Sequence, residues 1–244
     1  MALTKSTIAS QLNSAQVAIH NTLADAGILT AVAAYGYSVE KINAGKGVYD
    51  RAVAAVNAQI AATGAQRETT AAMESARKEA YAAYQSFAKV ARAIFVQDKA
   101  RLIRLGLTGA MPKSTAGFLT AASALFENAS APEVQSLLAN YGYDSARLQG
   151  ERALISAYET ADRNQEQAKG AAQQATRDQE AALKELDLWT GQYIKIARVA
   201  LRDKKELLEK LGVRALSGKT AAQRGATARA AATREAKKAD IKTN

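Results

Sequence analysis

Two short stretches carry the side chains best suited to chemistry. Lys89-Val90-Ala91-Arg92 returns as Lys195-Ile196-Ala197-Arg198, 106 residues later. A lysine and an arginine three positions apart share one face of a helix. Together they can hold an anion such as sulfate or phosphate. Both arginines interrupt apolar runs, where an unpaired buried charge would be costly. Two accounts are open. In the favoured one, the stem of Arg92 or Arg198 packs while the guanidinium reaches water or a carboxylate. In the other, internal symmetry brings the two Lys-x-x-Arg pairs together as an anion site.

Other chemistry lacks its parts. The single histidine, His20, has no Glu-x-x-His setting of the kind a di-iron bundle needs, and it reads as an ordinary helical residue. The chain has no cysteine, so it offers neither disulfide nor thiolate ligand, and it fits a reducing compartment. Nucleophile–histidine pairs are not spaced for catalysis. Gly45-Lys46-Gly47 and Gly218-Lys219-Thr220 lack the upstream glycine and strand of a P-loop. The chain is therefore read as non-catalytic, with no catalytic residue, metal, cofactor or small-molecule substrate assigned.

The charge is concentrated at one end. Of the net +10, the segment 214–244 carries +6, from eight basic and two acidic residues. Arg224, Arg229, Arg234, Lys237 and Lys238 stand among alanines and threonines, as in an arm that contacts phosphates. No aromatic is interleaved, so bases would find nothing to stack on, and binding to nucleic acid or another polyanion would be non-specific. The start of the chain lacks a signal-peptide layout. No apolar run is long enough to cross a bilayer. The expectation is a soluble, cytoplasmic protein.

The elements that position these residues come in two copies. Tyr35-Gly36-Tyr37-Ser38 returns as Tyr141-Gly142-Tyr143-Asp144, and the same 106-residue step holds without a gap from Ile28/Val134 to Leu107/Val213. An ungapped register of that length indicates a tandem duplication. Its copies are 1–107 and 108–213, with 214–244 as a basic tail. Each glycine of the corner can end a helix in the left-handed conformation. Ser38 or Asp144 can then cap the next helix, and Tyr37–Ile42 or Tyr143–Leu148 has the spacing of a hydrophobic staple. Tyrosines stacking on a ligand are the alternative use of this corner.

Alanine abundance and only two prolines favour an all-α fold. Two shorter helices should precede each corner. The first is capped by Ser6 or Thr7 and by Ser114 or Thr115. A capping box at Ser130 and Glu133 should open the second helix of copy two. Apolar stripes that include Val56 and Ile60 then run on to Leu105 and Leu211, closed by Gly106 and Gly212. Gly64 and Gly170 split these long regions. They are read as hairpin tips, in preference to continuous helices. Two hairpins would pack as an antiparallel, coiled-coil-like four-helix bundle with the shorter helices flanking. Such a chain suits a structural protein that self-associates into oligomers or filaments. The alternatives are polyanion binding through the tail and, last, a small-ligand pocket near the corners.

Overall fold

Proline-poor, alanine-rich sequence has little to interrupt a helix. A computed structural model describes residues 7–213, and all their regular structure is helical. In order the elements are α1 (Ile8–Ala24), α2 (Ala26–Ala33), α3 (Val39–Ile94), α4 (Lys99–Arg104), α5 (Thr115–Ala129), α6 (Pro132–Ala139), α7 (Ser145–Ala200) and α8 (Lys205–Lys210). The all-α expectation holds, and the long helices pack against each other. The five basic tail residues named above, and Ser6, lie outside the described residues.

The two halves of the chain follow one pattern. A step of 106 carries the bounds of α2, α3 and α4 onto those of α6, α7 and α8. For the first helix the step is 107: buried Ala15, Ala18, Ile19 and Thr22 of α1 land on buried Ala122, Leu125, Phe126 and Ala129 of α5.

Each corner is made by local chemistry. Gly36 has φ +80° and Gly142 φ +78°, the left-handed region open to glycine. At this bend the amide of Tyr37 reaches the Val32 carbonyl (3.2 Å) and that of Gly36 reaches Ala33 (3.0 Å). Tyr143–Leu138 and Gly142–Ala139 repeat the pair at 3.1 Å each. These are the two bonds of a Schellman motif, which occupy carbonyls a helix end leaves free. Asp144 then accepts the amide of Arg147 at 2.8 Å, and Ser38 that of Lys41 at 3.4 Å. Tyr37 and Ile42 are buried in one cluster, and Tyr143 and Leu148 in another, as a staple requires.

The structure corrects the sequence reading at four places. Gly64 and Gly170 are not hairpin tips. Each lies within a 56-residue continuous helix, so the hairpins from which a four-helix bundle was expected do not form at these glycines. The reason is visible just downstream. The hydroxyls that might cap a new helix there, Thr69 and Thr70, donate back to the Ala65 and Gln66 carbonyls at 3.0 and 2.7 Å. That is a bond of a helix interior, not a start. Second, the long helices stop at Ile94 and Ala200 and do not reach Leu105 and Leu211. Asp98 accepts the Arg101 amide at 3.0 Å and opens α4 as a separate helix, which Gly106 then ends. Third, Ser130 caps nothing at its N-terminal side: it closes α5, its hydroxyl on the Phe126 carbonyl, while Ala131 precedes Pro132 at the start of α6. Fourth, Ile60 is 63% exposed and takes no part in the buried stripe.

The chain divides into two compact units that cut across the copies. The first takes the described residues up to Val53 and those from Ala181 onward; the second is Ala54–Glu180. The first unit thus joins the front of copy one to the back of copy two, and the second joins the back of copy one to the front of copy two. In the first, Thr22 of α1 and the corner residue Tyr37 meet at Tyr193 of α7. In the second, Phe87, Phe118, Phe126 and Tyr143 hold the centre.

Candidate functional site

The lysine–arginine pairs carry the strongest chemical signal in the sequence. Lys89 and Arg92 belong to the second unit and Lys195 and Arg198 to the first. All four side chains are exposed. Arg92 Nε donates to the Leu107 carbonyl at 3.2 Å. Its guanidinium thereby ties the chain just after α4 back to α3 through a backbone oxygen, not through the water or carboxylate of the favoured account.

The densest constellation lies where the copies meet beside each corner. In the first unit, Trp189 stacks on Tyr193 with centroids 5.4 Å apart, and Tyr37 meets both rings, at 6.3 and 5.2 Å. Lys41 Nζ sits 4.1 Å from the centre of the Tyr37 ring, a cation–π contact. Tyr193 is fully buried, and its hydroxyl hydrogen-bonds that of Thr22, which also donates to the Ala18 carbonyl. A buried phenol needs such a partner. Burial pushes both Tyr193 and Tyr37 phenols up from their ordinary value, so each stays protonated at neutral pH.

The second unit places different residues at the same positions. Phe87 stands where Tyr193 stands, and Ala129 where Thr22 stands, so the hydroxyl pair becomes an apolar one. Phe87 packs on Phe126 at 5.2 Å and edge-on to Tyr143 at 5.0 Å. Arg147 covers the Tyr143 ring at 3.9 Å, as Lys41 covers Tyr37. Tyr35 and Tyr141, the outer tyrosines of the corners, are 51% and 61% exposed.

Short polar ties complete each unit. Asn21 donates its side-chain amide to the Lys210 carbonyl at the end of α8, and Asn128 donates to the Arg104 carbonyl at the end of α4. Lys210 Nζ reaches Asp25 at 2.9 Å, while Arg104 reaches Glu133 at 2.9 Å. The hydrogen bond from Lys210, helped by the Ile28 amide, holds the Asp25 carboxyl below its usual range. Asp25 also caps α2, a role no sequence signal had assigned to it.

Among the described residues, Glu151 is a carboxylate pressed the other way. One oxygen accepts from Arg147 Nε at 3.2 Å, while the other is buried without a partner. Burial raises its pKa from 4.5, outweighing the Arg147 contact. Between 4.5 and that raised value the folded protein binds more protons at Glu151 than the unfolded chain does. Its contribution to stability therefore falls as pH rises through that window. Glu151→Gln is expected to remove this slope, which urea titrations at a series of pH values from 4 to 7.5 would read.

Among the described residues a cleft of about 150 Å³ is lined by Gln16, Ile19, His20, Leu23, Lys46 and Tyr49 of the first unit. It is smaller than the roughly 300–1,000 Å³ typical of ligand pockets, whereas an open hollow of about 500 Å³ in the second unit, lined by Thr63, Gln66, Arg67, Thr70, Ala71 and Glu74, falls within that range. No helix among the described residues is long and apolar enough to cross a membrane. Comparison with protein-family models, with curated proteins and with solved structures returned no match to this chain.

Sequence reasoning found the corner tyrosines and glycines but missed Thr22, Asn21, Asn128 and the place of Gly45. Gly45 had a signal, being a glycine inside an apolar-periodic helical run. A Cβ there would fall within the indole of Trp189.

Proposed function

We propose that this protein is a non-catalytic structural element of the cytoplasm, a tandem duplication whose role is self-association. The observation that carries the reading is the use to which the chain puts its aromatic and polar side chains. The Tyr193 hydroxyl, the two asparagine amides and the rings of Tyr37 and Tyr143 are spent on joining copy one to copy two. A duplicated chain presents like surfaces twice, which suits closed dimers or head-to-tail filaments. The paired exposed tyrosines, Tyr35 and Tyr141, are such a surface. In this reading the pairing of long-helix segments from the two copies, antiparallel within each unit, takes the place of the hairpin bundle. Light scattering on the full chain and on a 1–213 truncation tests it: oligomers are expected, and two monodisperse monomers would overturn the reading.

A second reading rests on charge. The segment 214–244 holds +6 of the net +10, and Arg224, Arg229, Arg234, Lys237 and Lys238 give it a phosphate-binding character. On this reading DNA binding at low salt disappears with the tail and falls steeply with added salt. Retention of full affinity by the 1–213 truncation would remove it.

A further inference from the structure

Two contacts join the copies in the first unit, Gly45 with Trp189 and Thr22 with Tyr193, and the second unit carries different residues at all four equivalent positions. In the first unit glycine at 45 leaves room for Trp189, whose indole lies on the helix at that point. In the second unit the equivalent of Trp189 is Ala83, and the equivalent of Gly45 is Glu151. The small residue has changed sides. The same holds deeper in, where the Thr22–Tyr193 hydroxyl pair of the first unit is replaced by Ala129 and Phe87 in the second. Both members of each pair have changed together.

Homotypic pairing would break these matches. Two copies one would set Gly45 against Ala83, with no side chain to fill the space the indole takes, and Thr22 against Phe87. Two copies two would set Glu151 against Trp189, where even a Cβ has no room, and would bury the Tyr193 hydroxyl against Ala129 without its partner. Only the mixed pair gives the Trp189 indole its glycine and the buried Tyr193 hydroxyl its partner. Charge does not enforce the choice: Arg104 pairs with Glu133 and Lys210 with Asp25, and either base would suit either acid. Arg51–Glu185 is an exposed pair, weak in water, whose base would meet Glu79 equally well in a pair of copies one. Steric fit and one buried hydroxyl pair carry the discrimination, which is specificity written against the wrong partner as well as for the right one.

We propose that copy one and copy two recognise each other heterotypically, so that the partner each copy accepts is the opposite copy, its own or that of a second molecule of this chain. Self-association then proceeds by exchange, copy one of one molecule closing on copy two of another. This rests on the duplication and self-association proposed above.

The test uses the full chain with a protease site inserted between Thr108 and Pro112, cut after folding. Cut protein carrying a mass label on copy one is mixed with unlabelled cut protein, unfolded in urea and refolded, and the pairs are weighed by native mass spectrometry. Pairs of copy one with copy two are expected to the exclusion of both homotypic pairs. Homotypic pairs in the proportion of random assortment would overturn the proposal, whatever light scattering says of the uncut chain. Conversely, a monomeric uncut chain whose cut copies still pair only heterotypically would remove self-association and leave the recognition standing. A second measurement needs no refolding of fragments. Ala83→Trp in the uncut chain is expected to lower the melting temperature sharply, and adding Glu151→Gly to restore most of the loss. If Glu151→Gly gives no rescue, the matched-pair account fails.

Discussion

Phe87→Ala is expected to destabilise the protein by about 3–5 kcal/mol, the usual range for deleting a fully buried aromatic ring. Phe87 has no exposed surface and lies between Phe126 and Tyr143, with centroids 5.2 and 5.0 Å away. Those neighbours come from α5 and from the corner before α7, so one side chain joins the back of copy one to two elements of copy two. Its edge-on contact with Tyr143 adds about 0.5–1.5 kcal/mol beyond simple burial. The cavity left behind would have little means of closing, because Phe126, Leu138 and Leu148 around it are themselves fully buried and packed. Urea unfolding followed by helical circular dichroism would measure the loss. Tyr35→Ala serves as the contrast: with half its surface exposed it should change stability by less than about 0.5 kcal/mol. Equal effects from the two substitutions would mean that the packing of the second unit is not as described.

The corners were legible in the sequence because every device in them is local. A glycine free to take positive φ, an oxygen-bearing cap two residues on, and an apolar pair five residues apart lie within one short stretch. The start of α4 was half legible. Asp98 caps it, but the second copy has Lys204 at that position, which makes no side-chain cap bond, and the apolar spacing runs on without a gap. The division into units was not legible at all. Thr22 and Tyr193 are 171 residues apart and Asn21 and Lys210 are 189 apart, and no local pattern reports such pairs. The 106-residue correspondence between the two halves did contain the information in another form. Reading positions 45, 83, 151 and 189 as a set shows a small residue and a large one trading places. That set becomes meaningful only once the structure reveals that Gly45 faces Trp189.

Gly64 decides between the two readings of the long elements by the sign of a single substitution. In a hairpin tip a glycine at positive φ would resist replacement, and Gly64→Ala would lose stability. Within the continuous α3, with no side chain or foreign backbone within 4 Å of its would-be Cβ, Gly64→Ala should gain about 0.5–1 kcal/mol. Gly170→Ala in α7, equally open, should gain a similar amount. Gly64→Pro is the severe counterpart. It removes the amide that bonds to the Ile60 carbonyl and drives the ring against that same oxygen, for a loss of about 3 kcal/mol or more. A hairpin tip would tolerate proline far better, since a turn has no such bond to lose. Thr69 and Thr70 make the continuous helix the stronger expectation, because their hydroxyls already serve carbonyls one turn back. A rise in stability for alanine together with a steep fall for proline, read by urea unfolding, would fix both glycines inside uninterrupted helices. A loss with alanine at Gly64 would contradict a continuous, open helix at that position.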